Sequence, residues 1–160
     1  MSDFYRGAIG LAEAKAKVGT ELGVSRWFGI GQDRIDAFAD ATEDWLFIHT
    51  DPERAAREAP YGGTIAHGFL TASLLAAMAY DALPRVEGAP RGVNYGFDRL
   101  RFVAPVRAGK RVRGRFNLSK LDAGRPGEVT LHYAVTVEIE GEDRPALVAD
   151  WITRQYFAPR

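Results

Sequence analysis

At 160 residues, 46% of them hydrophobic and 26% charged, the chain can build one sizeable core but not comfortably two, and it reads as a single domain over residues 1–160. Its 21 Lys and Arg balance 21 Asp and Glu, so no net charge steers it toward nucleic acid or an anionic membrane. The lack of cysteine excludes a disulfide scaffold, a thiolate zinc site and a cysteine nucleophile.

The amino-terminal Met1-Ser2-Asp3-Phe4-Tyr5-Arg6 has no basic start followed by an apolar core, so no signal peptide is read there and a cytoplasmic protein is expected. Leu11 to Gly19 holds helix formers, with Gly19 placed to end the helix. Val24 to Ile30, with Trp27, Phe28 and Ile30 between Gly23 and Gly31, reads as a first strand. From Asp33 the apolar spacing changes to three and four (Ile35, Phe38, Ala39, Thr42), which predicts an amphipathic helix ending near Glu43. Asp51-Pro52 then announces another, since Asp accepts from free amides at an N-cap and Pro suits the first helical position. Pro60, Gly62 and Gly63 close it.

The run from about His67 to Ala82 is apolar on nearly every side. It is shorter than the ~20 apolar residues a membrane span requires and is closed by Asp81, so it predicts one long helix that must be wrapped. The wrapping comes after residue 90, where the period drops to two. Val93, Tyr95 and Phe97 alternate, then Leu100 and Phe102 in the opposite phase, which places a bulge near Asp98. Val112 to Leu118, Val129 to Ile139 and Leu147 to Thr153 supply three more strands. The expected class is α+β: an antiparallel sheet wrapped around one long buried helix, not a doubly wound parallel sheet.

Asp44 and His49 stand at the ends of the apolar segment Trp45-Leu46-Phe47-Ile48. Five residues turn two side chains about 140° apart on a helix and put them on opposite faces of a strand, so only an irregular segment brings both to one point. There, dry walls and mutual proximity would move both groups toward the range used for proton transfer. The alternative is that Asp44 caps a short turn and His49 packs near the helix at Asp51. Gly68 opens the long helix, where unpaired amides and the positive end of the helix dipole favour a developing oxyanion, or it serves only close packing of helix on sheet. His67 reads as a cap, and His132 as an exposed strand histidine. The three histidines lie on separate elements, and no metal site is read. The Arg107, Lys110, Arg111, Arg113, Arg115 cluster reads as a solvated strand face, with a phosphate-bearing cofactor tail as the lesser alternative.

Asp44-Trp45-Leu46-Phe47-Ile48-His49-Thr50-Asp51-Pro52-Glu53-Arg54-Ala55, followed by Gly63-Thr64-Ile65-Ala66-His67-Gly68-Phe69-Leu70, resembles the hydratase motif of MaoC-like proteins, the (R)-specific enoyl-CoA hydratases of the hotdog fold. Asn94-Tyr95-Gly96-Phe97 and Arg101-Phe102-Val103-Ala104-Pro105-Val106 are similar to the nodulation-protein-N-like branch of that family. The resemblance implies a single hotdog domain and reversible addition of water to a trans-2-enoyl-CoA, giving the (R)-3-hydroxyacyl form. It implies Asp44 and His49 as the pair that holds the water, the Gly68 amide on the thioester carbonyl, and substrate contacts from Phe47, Thr64, His67 and Asn94. It also implies no metal or redox cofactor, because the thioester itself acidifies C2, and a homodimer with coenzyme A across its seam. Leu46 and Phe47 stand where the family commonly has Asn and often Pro. A hotdog thioesterase and a non-catalytic acyl-thioester binder are the alternatives.

Overall fold

The computed structural model describes residues 5–157, so Met1 to Phe4 of the segment read for a leader lie outside the described residues. The elements run β1 (Ala8–Ile9), α1 (Leu11–Ala16), β2 (Glu21–Val24), β3 (Phe28–Gly29), α2 (Gln32–Thr42), α3 (Phe47–Thr50), α4 (Pro52–Glu58), α5 (Gly68–Ser73) and α6 (Leu75–Ala82). They continue through β4 (Arg85–Val86), β5 (Arg91–Phe102), β6 (Arg111–Asp122), β7 (Glu128–Ile139) and β8 (Leu147–Tyr156). No helix among the described residues is long and apolar enough to cross a membrane.

The main sheet is antiparallel in the order β2-β6-β7-β8-β5, with β3 pairing β6 beside β2. Every second residue of β7, from Val129 to Ile139, is buried, as are Val112, Gly114, Phe116 and Leu118 of β6. This is the period-two pattern expressed as one inner face. Leu75, Met78, Ala79 and Ala82 of α6 join that face in a common core. Fully burying a side chain such as Met78 is worth roughly 1.5–3 kcal/mol relative to leaving it exposed. Gly23 lets the helix come close to β2: a Cβ there would lie 2.3 Å from the Ala82 carbonyl oxygen. The outer face of β6 and β7 carries Arg111–Glu140, Arg113–Glu138 and Arg115–Glu138 pairs, as a solvated strand face does.

Three features differ from the sequence reading. The helix expected without a break from His67 to Ala82 is two, meeting at Leu74, whose backbone stays right-handed (φ −70°, ψ −12°). Ser73 Oγ donates to the Phe69 carbonyl at 2.7 Å, a back-bond of the kind that bends helices. The wrapping is also open on one side, since Phe69 is 66% exposed and Tyr80 41%. Finally, the first strand expected over Val24 to Ile30 is the pair β2 and β3, split where Ser25 exchanges hydrogen bonds with Gly114. The predicted bulge in β5 is present, with register shifts at Asn94/Gly96 and Phe97/Arg99. The parallel β1–β4 pair was not legible, because two-residue strands have no period to detect. It is tied to the sheet by the Val86 amide donating to Gln155 Oε1 at 2.8 Å.

Candidate active site

The chain leaves α2 through Glu43 in the left-handed region (φ 61°), and the Asp44 amide donates back to Ala39. This sharp exit breaks the helical phase between Asp44 and His49. Leu46 is extended (ψ 134°) and α3 starts afresh at Phe47, so His49 is set by a new helical turn and not by α2. Asp51 Oδ1 accepts from the Arg54 amide at 2.9 Å, the expected N-cap, and fixes α4 directly behind.

The segment before α5 runs alongside this turn. The Ile65 amide donates to the Ile48 carbonyl at 2.9 Å, and the Ala66 amide to the Val106 carbonyl at 2.7 Å. His49 returns the contact by donating Nδ1–H to the Ile65 carbonyl at 2.7 Å, which leaves Nε2 with its lone pair. His67 donates Nε2–H to the Asp44 carbonyl at 2.9 Å and lies 4.0 Å from the carboxylate oxygen Oδ2. The two imidazoles stack at 3.8 Å with 27° between their planes, and Phe38 lies 5.1 Å from His67 on another side. His49 and His67 are 8% and 3% exposed, while the Asp44 side chain is 55% open to solvent.

Two histidines read as lying on scattered elements are therefore in contact, and with Asp44 they form one cluster. One ligand-type atom from each of Asp44, His49 and His67 lies within 4.8 Å of the others, a set with the chemistry to hold a divalent cation. Burial holds His49 below its ordinary pKa of 6.5, with His67 pushing the same way. The hydrogen bond to Ile65 and the Asp44 carboxylate pull it back only in part. His49 is thus a neutral base near neutral pH. The buried Nδ1 of His67 has no hydrogen-bond partner among the described residues.

His49 and Gly68 line one cavity of about 280 Å³, with Tyr61, Thr71, Phe102 and Pro105 among its other walls. Gly68 is required there by space: a Cβ would meet the Phe102 ring at 2.9 Å. The remaining residues picked out in the sequence are not brought to this cavity. Thr64 is buried with its hydroxyl given to Gln32 Oε1 at 2.5 Å, and Phe47 lies under the Arg54 guanidinium at 4.1 Å. Asn94 lines a different cavity against α6, and His132, read as exposed, is half-buried on the outer face of β7. Gln32, which no motif marked, is the joint of the site. It donates to the His49 carbonyl at 2.6 Å and to Asp36 at 2.8 Å while accepting from Thr64, so α2, α3 and the pre-α5 segment are fixed together.

This layout of a broken Asp-to-His turn beside a His-Gly helix start lies within residues 13–139, which match the MaoC like domain. The chain belongs to the MaoC-like family. It is 53% identical over 151 residues to nodulation protein N of Rhizobium leguminosarum bv. viciae, covering 94% of each chain. It is 42% identical over 144 residues to 3-hydroxyacyl-thioester dehydratase Z of Mycobacterium tuberculosis, covering 90% of this chain and 94% of that one. Among solved structures it is similar to the (R)-hydratase from A. caviae involved in PHA biosynthesis, with TM-score 0.65 and 27% identity over 85% of this chain and 94% of that one. The MaoC-like dehydratase from Rhodospirillum rubrum, at TM-score 0.71 and 22% identity over 89% and 94% of the two chains, shares the fold. The architecture is that of the hotdog proteins, as the resemblance implied.

Proposed function

We propose that this MaoC-like protein is a cytoplasmic, homodimeric hydratase that reversibly adds water across the 2,3-double bond of a trans-2-enoyl-CoA, giving the (R)-3-hydroxyacyl-CoA. The observation that carries the reading is the convergence of Asp44, His49 and His67, of which His49 lines the same cavity as Gly68. A carboxylate and a neutral imidazole with a bare Nε2 can hold one water between them. As the water oxygen attacks C3, His49 Nε2 takes its proton and the Asp44 carboxylate offsets the charge formed on the ring. The electrons of the double bond move to the thioester carbonyl, where the Gly68 amide stabilises the enolate, an effect of about 3 kcal/mol for one such donor. Return of a proton from the pair to C2 completes the addition. Every atom of water then resides in product, and the reading calls for no redox cofactor or metal. The names of the relatives, a 3-hydroxyacyl-thioester dehydratase and an (R)-hydratase, support the same class.

The test is loss of conjugated-enoyl absorbance on adding crotonyl-CoA, with chiral analysis of the product and with Asp44→Asn and His49→Gln as variants. The expected result is (R)-3-hydroxybutyryl-CoA from the wild type and a loss of roughly 10²–10⁴-fold in kcat for each variant. Release of free thiol instead would identify a thioesterase. Binding without turnover of any chain length would identify an acyl-thioester carrier.

A further inference from the structure

The carboxamide of Gln32, the first residue of α2, is used at both ends. Its Nε2 donates to the His49 carbonyl at 2.6 Å and to Asp36 Oδ1 at 2.8 Å, while its Oε1 accepts from the Thr64 hydroxyl at 2.5 Å. A flipped amide would set its oxygen against a carbonyl and a carboxylate, neither of which donates, so the surroundings permit this orientation alone. The two segments that Gln32 joins also carry the two ends of another bond, His49 Nδ1–H donating to the Ile65 carbonyl at 2.7 Å. His49 is gripped through its own main chain, and Ile65 through the residue next to it, the buried Thr64.

A carbonyl oxygen only accepts, so the bond to Ile65 keeps the ring proton of His49 on Nδ1 and leaves Nε2 bare. Without it the proton can sit on either nitrogen, and a ring protonated at Nε2 has no lone pair there to offer a water. The Ala66 amide on Val106 and the Ala108 amide on the Thr64 carbonyl hold the pre-α5 segment from its other side, away from His49. One main-chain bond, the Ile65 amide on the Ile48 carbonyl, crosses to the α3 turn. A single bond keeps two segments adjacent, and the Gln32 bridge supplies the second attachment that fixes their angle. We propose that Gln32, acting through Thr64, is the positioning residue that sets the tautomer of His49, so that the neutral ring always presents a bare Nε2. The inference rests on the hydratase reading of the site, in which that nitrogen takes the proton of water.

The test uses the full chain with Gln32→Met and Thr64→Val, which each break the bond between the two side chains, and Thr64→Ser, which keeps the hydroxyl. Two-bond 1H–15N spectra of the imidazoles, assigned with His49→Gln, report which nitrogen carries the proton. The wild type and Thr64→Ser should show His49 in the Nδ1–H form, and Gln32→Met and Thr64→Val a mixture of both forms. In crotonyl-CoA hydration the latter two should lose about tenfold in kcat, the scale of one buried hydrogen bond, with KM changed less, and Thr64→Ser should recover most of that loss. Their acid limb should also move to lower pH, because the Ile65 bond opposes the larger lowering of the His49 pKa by burial. Should Gln32→Met fail to fold, Thr64→Val, which removes one bond, decides. An unmixed Nδ1–H form in both variants, with kcat and the acid limb unmoved, would overturn the inference whatever the melting temperatures do. A wild type that hydrates no enoyl thioester would remove the hydratase reading, while mixed spectra in the variants would still uphold the control of the ring by Gln32.

Discussion

The rings of His49 and His67 lie face to face at 3.8 Å, and each donates one N–H to a main-chain carbonyl, Ile65 for the first and Asp44 for the second. Two neutral imidazoles stack without penalty, whereas two imidazolium ions at this distance repel. Burial and the neighbouring ring both lower the pKa of His49, and the main-chain bonds decide which nitrogens are left bare.

The first prediction follows from that lowering. The pKa of His49 is lowered in the folded protein, so below about 6.5 the unfolded chain binds more protons and stability falls as pH drops toward the folded value. Above 6.5 the term is constant. Melting temperature against pH should decline on the acid side of 6.5, and His49→Gln should flatten that decline. The acid limb of kcat/KM should likewise sit below 6.5, the ring being needed neutral. His67→Gln, which keeps a donor near the Asp44 carbonyl but removes the second ring, should move the limb upward, since His67 is one cause of the lowering. A limb unmoved by that change would dissociate the stack from the base.

The second concerns the contact of Gly68 with Phe102. A Cβ at residue 68 would sit 2.9 Å from three atoms of the Phe102 ring, too close for any real side chain. Gly68→Ala should cost about 1–3 kcal/mol by forcing that ring aside, and lower activity by displacing the amide beside the cavity. Adding Phe102→Leu should return most of the stability by making space. Urea denaturation of the single and double variants measures both terms. Equal stability of Gly68→Ala and wild type would show that the ring yields freely.

Much of this was written locally in the chain. The Asp51-Pro52 cap, the β7 alternation and the phase change in β5 each depend on residues within a few positions, and all are present. That Asp44 and His49 could meet only across a broken backbone was also legible, and Glu43 at φ 61° supplies the break. The His49–His67 stack and the Gln32 joint were not legible, because their partners are remote in sequence and share no period. The continuous apolar run after Gly68 concealed the bend at Leu74 for a related reason. Hydropathy records what is buried, not where one serine back-bonds.

The third prediction is that the cluster works without a metal. His49 Nδ1 and His67 Nε2 are already spent on carbonyls, and a cation would take the bare Nε2 that the proposed chemistry needs. Dialysis against a chelator should leave crotonyl-CoA hydration unchanged, and added zinc should inhibit it by occupying Asp44, His49 and His67. Loss of activity on chelation, restored by a divalent ion, would reassign the three residues as ligands.

The last prediction is the oligomeric state. Strand β5 ends the sheet with one edge unpaired among the described residues, and along it Val93, Tyr95, Phe97 and Phe102 are 41–56% exposed. Phe69 adds the most exposed large apolar side chain among the described residues, meeting Phe102 edge to face at 5.4 Å. A long edge strand with this much apolar surface invites another strand, and a second copy joined edge to edge about a two-fold axis covers both patches at once. Light scattering at micromolar concentration should give twice the chain mass. Phe69→Glu is the informative variant, because a residue 66% open in one chain contributes little to that chain's own fold. If the patch is the seam, the charge buried against its symmetry mate should yield a folded monomer with native circular dichroism. If the chain acts alone, the substitution should change neither mass nor melting temperature.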